Sequence, residues 1–202
     1  MYQHRSDLII RPAEDPDAPF LMELINIAYR GEQGWTDGLD NIKAPRIEPD
    51  DLRARISGSE ENDSARRNAP IFVAVLQPEG VVAGCIQPYN SAKDRPHGSN
   101  ANSEANLEHP LTIQGYIELF AVHPDYQSRG IGKSLLNFAL DHMKEAWNVS
   151  VCVIYVFEIR PKVLAWYEKL GFTLDGRTVP AYEFQHLMIN PDIVLRILEK
   201  QL

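Results

Sequence analysis

Cysteine is scarce in this chain: Cys85 and Cys152 are the two among 202 residues, too few for a disulfide framework. Each stands inside an apolar run, as buried free thiols of a reducing compartment do. Basic residues are the minority charge, 20 Lys and Arg against 28 Asp and Glu, for a formal net charge of −8. A field of that sign repels phosphate backbones and argues against nucleic-acid binding, while it tilts towards cationic small molecules or basic peptides. No apolar run approaches the roughly 20 residues that span a bilayer, so no membrane partner is expected. The opening Met-Tyr-Gln-His-Arg-Ser-Asp lacks the apolar core of a secretion signal, and the expected compartment is the cytoplasm. With 44% hydrophobic and 24% charged residues, the composition excludes collagen-like, coiled-coil and largely disordered chains. The length suits one domain over residues 1–202, able to bury about 70% of its unfolded surface.

What the chain does hold is a succession of strand and helix signals. Leu8–Ile10, ended by Pro12, reads as a strand. Pro16 and Asp17 open a helix to about Tyr29, with Phe20, Leu21, Leu24, Ile25 and Ala28 at helical spacing. Residues 30–49 read as an ordered loop, and Pro49-Asp50-Asp51-Leu52 starts a short helix. Ile71–Leu76 and Val81–Ile86 flank a turn as a hairpin, between two polar, loop-like segments at 57–69 and 90–109. Leu111–Val122 predicts a long strand, and Gly130–Trp147 a helix with Ile131, Leu135, Phe138, Ala139, Met143 and Ala146 on one face. Val151–Phe157 is apolar almost throughout, the mark of a strand covered on both faces. Strand, helix and buried strand make a βαβ unit, so those two strands are expected to be parallel. Pro161–Leu170 reads as a helix ended by Gly171, and Phe172–Leu174 and Ile193–Leu198 as the last strands. The order β-α-α-β-β-β-α-β-α-β-β implies an α/β or α+β fold with a mixed sheet.

The chemistry concentrates in His123-Pro124-Asp125-Tyr126-Gln127-Ser128-Arg129-Gly130-Ile131-Gly132-Lys133-Ser134. A glycine-bearing loop between a strand and a helix gathers unpaired N–H groups, which with the helix dipole, Arg129 and Lys133 suit a phosphate or pyrophosphate. Gly-Ile-Gly-Lys-Ser is similar to the end of a P-loop, but the first glycine of that motif would stand at Gln127. The dinucleotide pattern G-x-G-x-x-G fails as well, at Leu135. What fits is Gln/Arg-x-x-Gly-x-Gly/Ala. This resembles the acetyl-CoA pyrophosphate loop of the GNAT acetyltransferase superfamily. Arg160-Pro-Lys-Val-Leu-Ala-Trp-Tyr167-Glu-Lys-Leu-Gly171-Phe172 resembles the second signature of that family, specific over about residues 111–175 together with the loop.

The resemblance implies a mostly antiparallel central sheet flanked by helices, with a splayed parallel strand pair that takes the pantetheine arm. Backbone groups of Phe120, Ala121 and Val122 would bind that arm, with the N–H of Phe120 or Ala121 at the thioester carbonyl. The pyrophosphate would rest on amides from Arg129 through Gly130, Ile131, Gly132 and Lys133 to Ser134, with Gln127 shaping the turn and Ser128 among the coenzyme-binding residues. Tyr167 occupies the position of the family's frequent general acid, beside the reading that it packs a helix onto the sheet. Glu118 alternates with Tyr116 and Phe120 along its strand and is a candidate general base, or else a partner for a nearby Arg or Lys. Arg160 replaces the family's usual Asn; it either pairs with a coenzyme phosphate or is a solvated helix-start residue.

In the superfamily the first two helices and their joining loop cover the acceptor. Here Tyr29 and Trp35 could form an aromatic wall, with Glu32 or Asp37 receiving a cation, although Trp35 could equally pin the loop to the core. Acetyl-CoA is then the co-substrate, no metal is expected, and the partner is a small-molecule or peptide amine. A homodimer is compatible with the family. The leading reading is an acetyl-CoA-dependent N-acetyltransferase acting by direct attack in a ternary complex, since both thiols are expected to be buried. The rival is a non-catalytic acyl-CoA-binding sensor or regulatory module.

Overall fold

The computed structural model describes residues 7–30, 45–58, 69–90, 113–181 and 192–202. Its strands are β1 (Leu8–Pro12), β2 (Phe72–Leu76), β3 (Val81–Asn90), β4 (Gln114–Val122), β5 (Val151–Phe157), β6 (Thr173–Pro180) and β7 (Val194–Gln201). Its helices are α1 (Ala18–Arg30), α2 (Pro49–Ser57), α3 (Ile131–Trp147) and α4 (Pro161–Lys169). The strands form one sheet in the order β1-β2-β3-β4-β5-β7-β6, antiparallel at every neighbour except the parallel pair β4–β5. That pair is the one the strand–helix–strand unit demanded. The expected mixed, mostly antiparallel sheet with flanking helices is therefore the observed fold.

Two apolar layers hold the helices on opposite faces. Leu135, Leu136, Ala139 and Met143 of α3 pack with Phe72, Ala83, Ile86 and Phe172 on one face. On the other, Leu21, Leu24 and Ile25 of α1 and Leu52 of α2 pack with Val73, Val75 and Leu119. The stripe on α3 is rotated from its expected position: Leu136 and Leu140 are buried and Ala146 is exposed. Pro16 and Asp17 form a 3-10 turn ahead of α1, fixed where Arg11 forks onto Asp17 at 2.6 and 2.9 Å.

The strand expected at Phe172–Leu174 is displaced. Phe172 is a buried core residue, and β6 runs from Thr173 to Pro180. Its Leu-Asp-Gly-Arg-Thr stretch is largely exposed at the sheet edge, so it carries little of the apolar alternation by which strands are read. The polar segments at 59–68 and 91–109 lie outside the described residues.

α3 crosses β3 closely at Gly84. A Cβ built there would meet the Ala121 carbonyl oxygen at 2.9 Å and the Leu135 Cδ1 at 3.0 Å. Gly84→Ala should therefore destabilise the protein by about 1–3 kcal/mol through overpacking. Urea unfolding of the variant beside the parent measures it, and an unchanged midpoint would contradict the close approach.

Candidate active site

The site begins with a defect in β4. Cys85 pairs with Ala121, but Gln87 pairs with Glu118, so three steps on β4 oppose two on β3. Leu119 takes up the extra residue at φ 43°, a left-handed conformation that β-unbranched but bulky leucine adopts only when it is held there. It is held: its side chain is fully buried between α1 and the sheet, and its carbonyl accepts a hydrogen bond from the Cys85 thiol at 3.1 Å. The bulge breaks the period-2 alternation. Glu118 faces Arg55 on α2, whereas Phe120 faces Trp166 and Tyr167 on α4, so the two do not share a face as simple alternation predicted.

Beside the bulge the sheet opens. Parallel pairing of β4 with β5 ends at Tyr116–Val153. Beyond it, Ile117, Glu118, Phe120, Ala121 and Val122 of β4 and residues 154–157 of β5 contribute to the walls of a cavity of about 670 Å³. His123 N–H donates to Ala83 O at 2.9 Å, on the β3 side. Alternation then turns the N–H of Ala121 towards β3 and those of Phe120 and Val122 into the opening. Of the two candidates for an oxyanion donor, Phe120 N–H is the one so directed.

One end of the cavity is the loop leading into α3. Gln127 Nε2 donates to Val122 O at 3.0 Å and ties the loop to the end of β4. Ser128 and Gly130 follow at φ 60° and 82°. Ser128, Gly130, Ile131, Gly132 and Lys133 line the cavity. Ser134 leaves the expected donor set, because its N–H already bonds Gly130 O at 3.0 Å in the first helical turn. Arg129 is not among the lining residues, and its guanidinium lies 5.2 Å from the Tyr126 ring. These unpaired helix-start amides with Lys133 fit a pyrophosphate, and the open strand pair fits an extended pantetheine.

Tyr167 lines the same cavity, only 7% exposed, edge-on to Phe120, Trp166 and Phe172. Burial raises its phenol pKa well above the ordinary value, so the proton is retained at neutral pH. Both thiols are buried; desolvation pushes Cys85 to about 12 and raises Cys152 further. Neither is a thiolate at neutral pH, and neither lines the cavity.

At the α1 side sits a charged cluster that sequence reasoning only partly found. Glu118, its side chain 8% exposed, accepts from Arg55 Nη1 at 3.2 Å and stands 3.6 Å from Arg46 Nη2. Arg55 also donates to Gln87 at 3.1 Å and approaches Asp51 at 3.4 Å. The paired state left open for Glu118 is thus the one observed. Arg46 lies 5.3 Å from the Tyr29 ring, and burial raises the pKa of that phenol. Among the described residues Arg160 has no acid partner, nor does it extend into solvent: its Nη2 donates to Tyr29 O at 2.7 Å, joining the start of α4 to α1. Tyr29, Arg46, Glu118 and Arg160 all line the cavity. Glu32, Trp35 and Asp37 lie outside the described residues. Helical spacing with Leu52 could have flagged Arg55 as inward-facing, whereas nothing in the sequence around Arg46 marks it.

A strand pair opened beside a glycine-bearing helix start, with a buried phenol in the same cavity, defines an acyl-CoA-dependent transferase. The profile of the Acetyltransferase (GNAT) family matches residues 39–172, and the chain belongs to that family. No curated protein matches the sequence significantly. Solved structures share the fold. The spermidine N-acetyltransferase of Vibrio cholerae, in complex with CoA and spermine, is 18% identical with a TM-score of 0.65, over 98% of this chain and 96% of that one. A GCN5-related N-acetyltransferase from Kribbella flavida is 21% identical, TM-score 0.61, over 97% and 98%. A GNAT-family acetyltransferase from Streptococcus pneumoniae is 18% identical, TM-score 0.60, over 97% and 99%. The protein is accordingly an acetyl-CoA-dependent acyltransferase.

Two substitutions separate conformation from space in the loop. A Cβ at Gly130 would meet nothing within 4 Å, so Gly130→Ala should cost about 1–2 kcal/mol through its positive φ alone. At Gly132 the nearest atoms would lie at 3.5–3.8 Å, and Gly132→Ala should leave stability within about 0.5 kcal/mol. Arg55→Met should destabilise by about 3 kcal/mol, since it removes one partner of a buried carboxylate. Denaturant melts of the three variants give all three values.

Proposed function

We propose that the chain moves the acetyl group of acetyl-CoA onto the primary amine of a small-molecule or peptide acceptor, by direct attack with both substrates bound. The observation that carries this reading is the single cavity that joins the α3 amides, the opened β4–β5 pair and Tyr167 to the charged wall at Tyr29, Arg46 and Glu118. Acetyl-CoA supplies an activated acyl carbon and a thiol leaving group.

The residues divide the remaining work. The N–H groups of Ile131, Gly132 and Lys133 hold the pyrophosphate, with the Lys133 ammonium beside them. Phe120 N–H donates to the thioester carbonyl oxygen, where negative charge develops as the amine attacks. A C–N bond forms and the C–S bond breaks, and Tyr167 gives its proton to the departing sulfur. Glu118, already engaged by two guanidiniums, accepts a hydrogen bond from the substrate's amino group and orients it. The amine's surplus proton leaves through water. The buried thiols favour direct attack over a covalent relay through cysteine. Among the described residues no helix is long and apolar enough to cross a membrane.

Calorimetric titration with acetyl-CoA, with ATP as the control, tests the coenzyme assignment: saturable binding of the first alone is expected, and its absence defeats the reading. Tyr167→Phe should lower kcat by about 10²–10⁴ while acetyl-CoA affinity stays unchanged. A raised phenol pKa means that the acid form is lost only far to the alkaline side. The kcat profile should therefore show no loss attributable to this residue between about pH 7 and pH 9. A decline there that vanishes in Tyr167→Phe would refute the acid role as drawn.

A further inference from the structure

The chain is acidic, with a net charge of −8, yet its cavity is not. The described lining residues include three cations, Arg46, Lys133 and Arg160, and one acid, Glu118. Lys133 belongs to the pyrophosphate end, and Arg46 faces Glu118. Arg160 is the anomaly. Its polar contact is a backbone carbonyl, that of Tyr29, and its Nε, like that of Arg46, is buried with no hydrogen-bond partner among the described residues. Desolvation lowers its pKa, and among the described residues no carboxylate offsets the loss of water. A largely desolvated guanidinium without an anion is costly, and the cavity is where an anion can arrive.

The coenzyme's pyrophosphate is badly placed to be that anion. α4 meets the phosphate loop through Trp166, whose ring approaches Gly132. Arg160 stands six residues earlier, about 9 Å back along the helix axis. Its side chain is anchored to the backbone carbonyl of Tyr29 on α1, the residue whose ring Arg46 contacts.

We infer that the acceptor is an amino carboxylate, its amino group held by Glu118 and its carboxylate received by Arg160 and Arg46. This rests on the acetyl-transfer reading above and narrows its substrate class. Arginine suits the task because its planar fork matches a carboxylate. A polyamine would bring a second cation against two guanidiniums.

The test titrates CoA-loaded protein with L-methionine, L-phenylalanine and L-glutamate, each beside its α-carboxamide, and with spermidine. At least one free carboxylate should bind ten-fold or more tightly than its amide, and more tightly than spermidine. Arg160→Gln should abolish that preference while the acetyl-CoA Kd holds. Arg160→Lys should restore it in part. Equal binding of acid and amide, tighter spermidine, or no carboxylate bound at all overturns the inference. So does an Arg160→Gln variant that loses acetyl-CoA instead, which would give the anion site to the coenzyme. Failure of the acetyl-transfer reading is seen separately, as absent acetyl-CoA binding or no thiol release with any amine. The same acid–amide titrations on coenzyme-free protein still read the anion site in that event.

Discussion

Leu119 is a bulky residue in a backbone conformation that disfavours it, and the cavity exists because it stays there. The extra residue in β4 bends the strand away from β5 after three paired positions. That bend opens the sheet where a ligand's backbone-like arm can enter, and it turns Phe120 N–H towards the opening. The strain is of order 1–2 kcal/mol. It is offset by burial of the leucine side chain against α1 and by the hydrogen bond from Cys85. Cys85 thus has a structural use that accounts for a thiol at this position without any redox or nucleophilic chemistry.

The second constraint is electrostatic. Arg55 and Glu118 are both buried, and such a pair is stable only when hydrogen bonds complete it. Gln87 does so, and is itself anchored through its amide to Ala69 O at 2.9 Å. The network joins α2, β3 and β4 on the α1 face of the sheet. It supports the holding role proposed for Glu118, since a carboxylate shared between guanidiniums is better suited to orienting an amino group than to carrying off its proton.

Much of this was legible beforehand because it rests on local rules. Glycine at a left-handed helix start, proline at N1 of α4 and an apolar run covered on both faces gave the elements around the site within one or two residues. The parallel pair followed from connection length alone. The bulge was not legible: Ile-Glu-Leu-Phe-Ala-Val is an ordinary strand sequence, and the extra residue is known only from the register against β3. For the same reason Glu118 and Phe120 were assigned to one face. Arg160 was half legible. Its departure from the family's asparagine was visible, but its partner is a carbonyl 131 residues earlier in the chain. No local pattern encodes such a contact.

α4 carries the consequence of that contact. Arg160, Val163, Trp166 and Tyr167 all line the cavity, a single helical face with Arg160 and Tyr167 two turns apart. The residue proposed to receive the acceptor's carboxylate and the residue proposed to protonate the departing thiolate therefore ride on one rigid element. Pinning Arg160 to Tyr29 fixes where that element starts relative to α1. The packing of Tyr167 against Phe120 and Phe172 fixes its phenol relative to the bulge. An acceptor seated between Arg160 and Glu118 would be referenced to the same helix as the proposed acid and to the same strand as the proposed oxyanion donor. Placement of both substrates then requires no movement of the sheet, which is the kind of preorganisation that direct transfer demands.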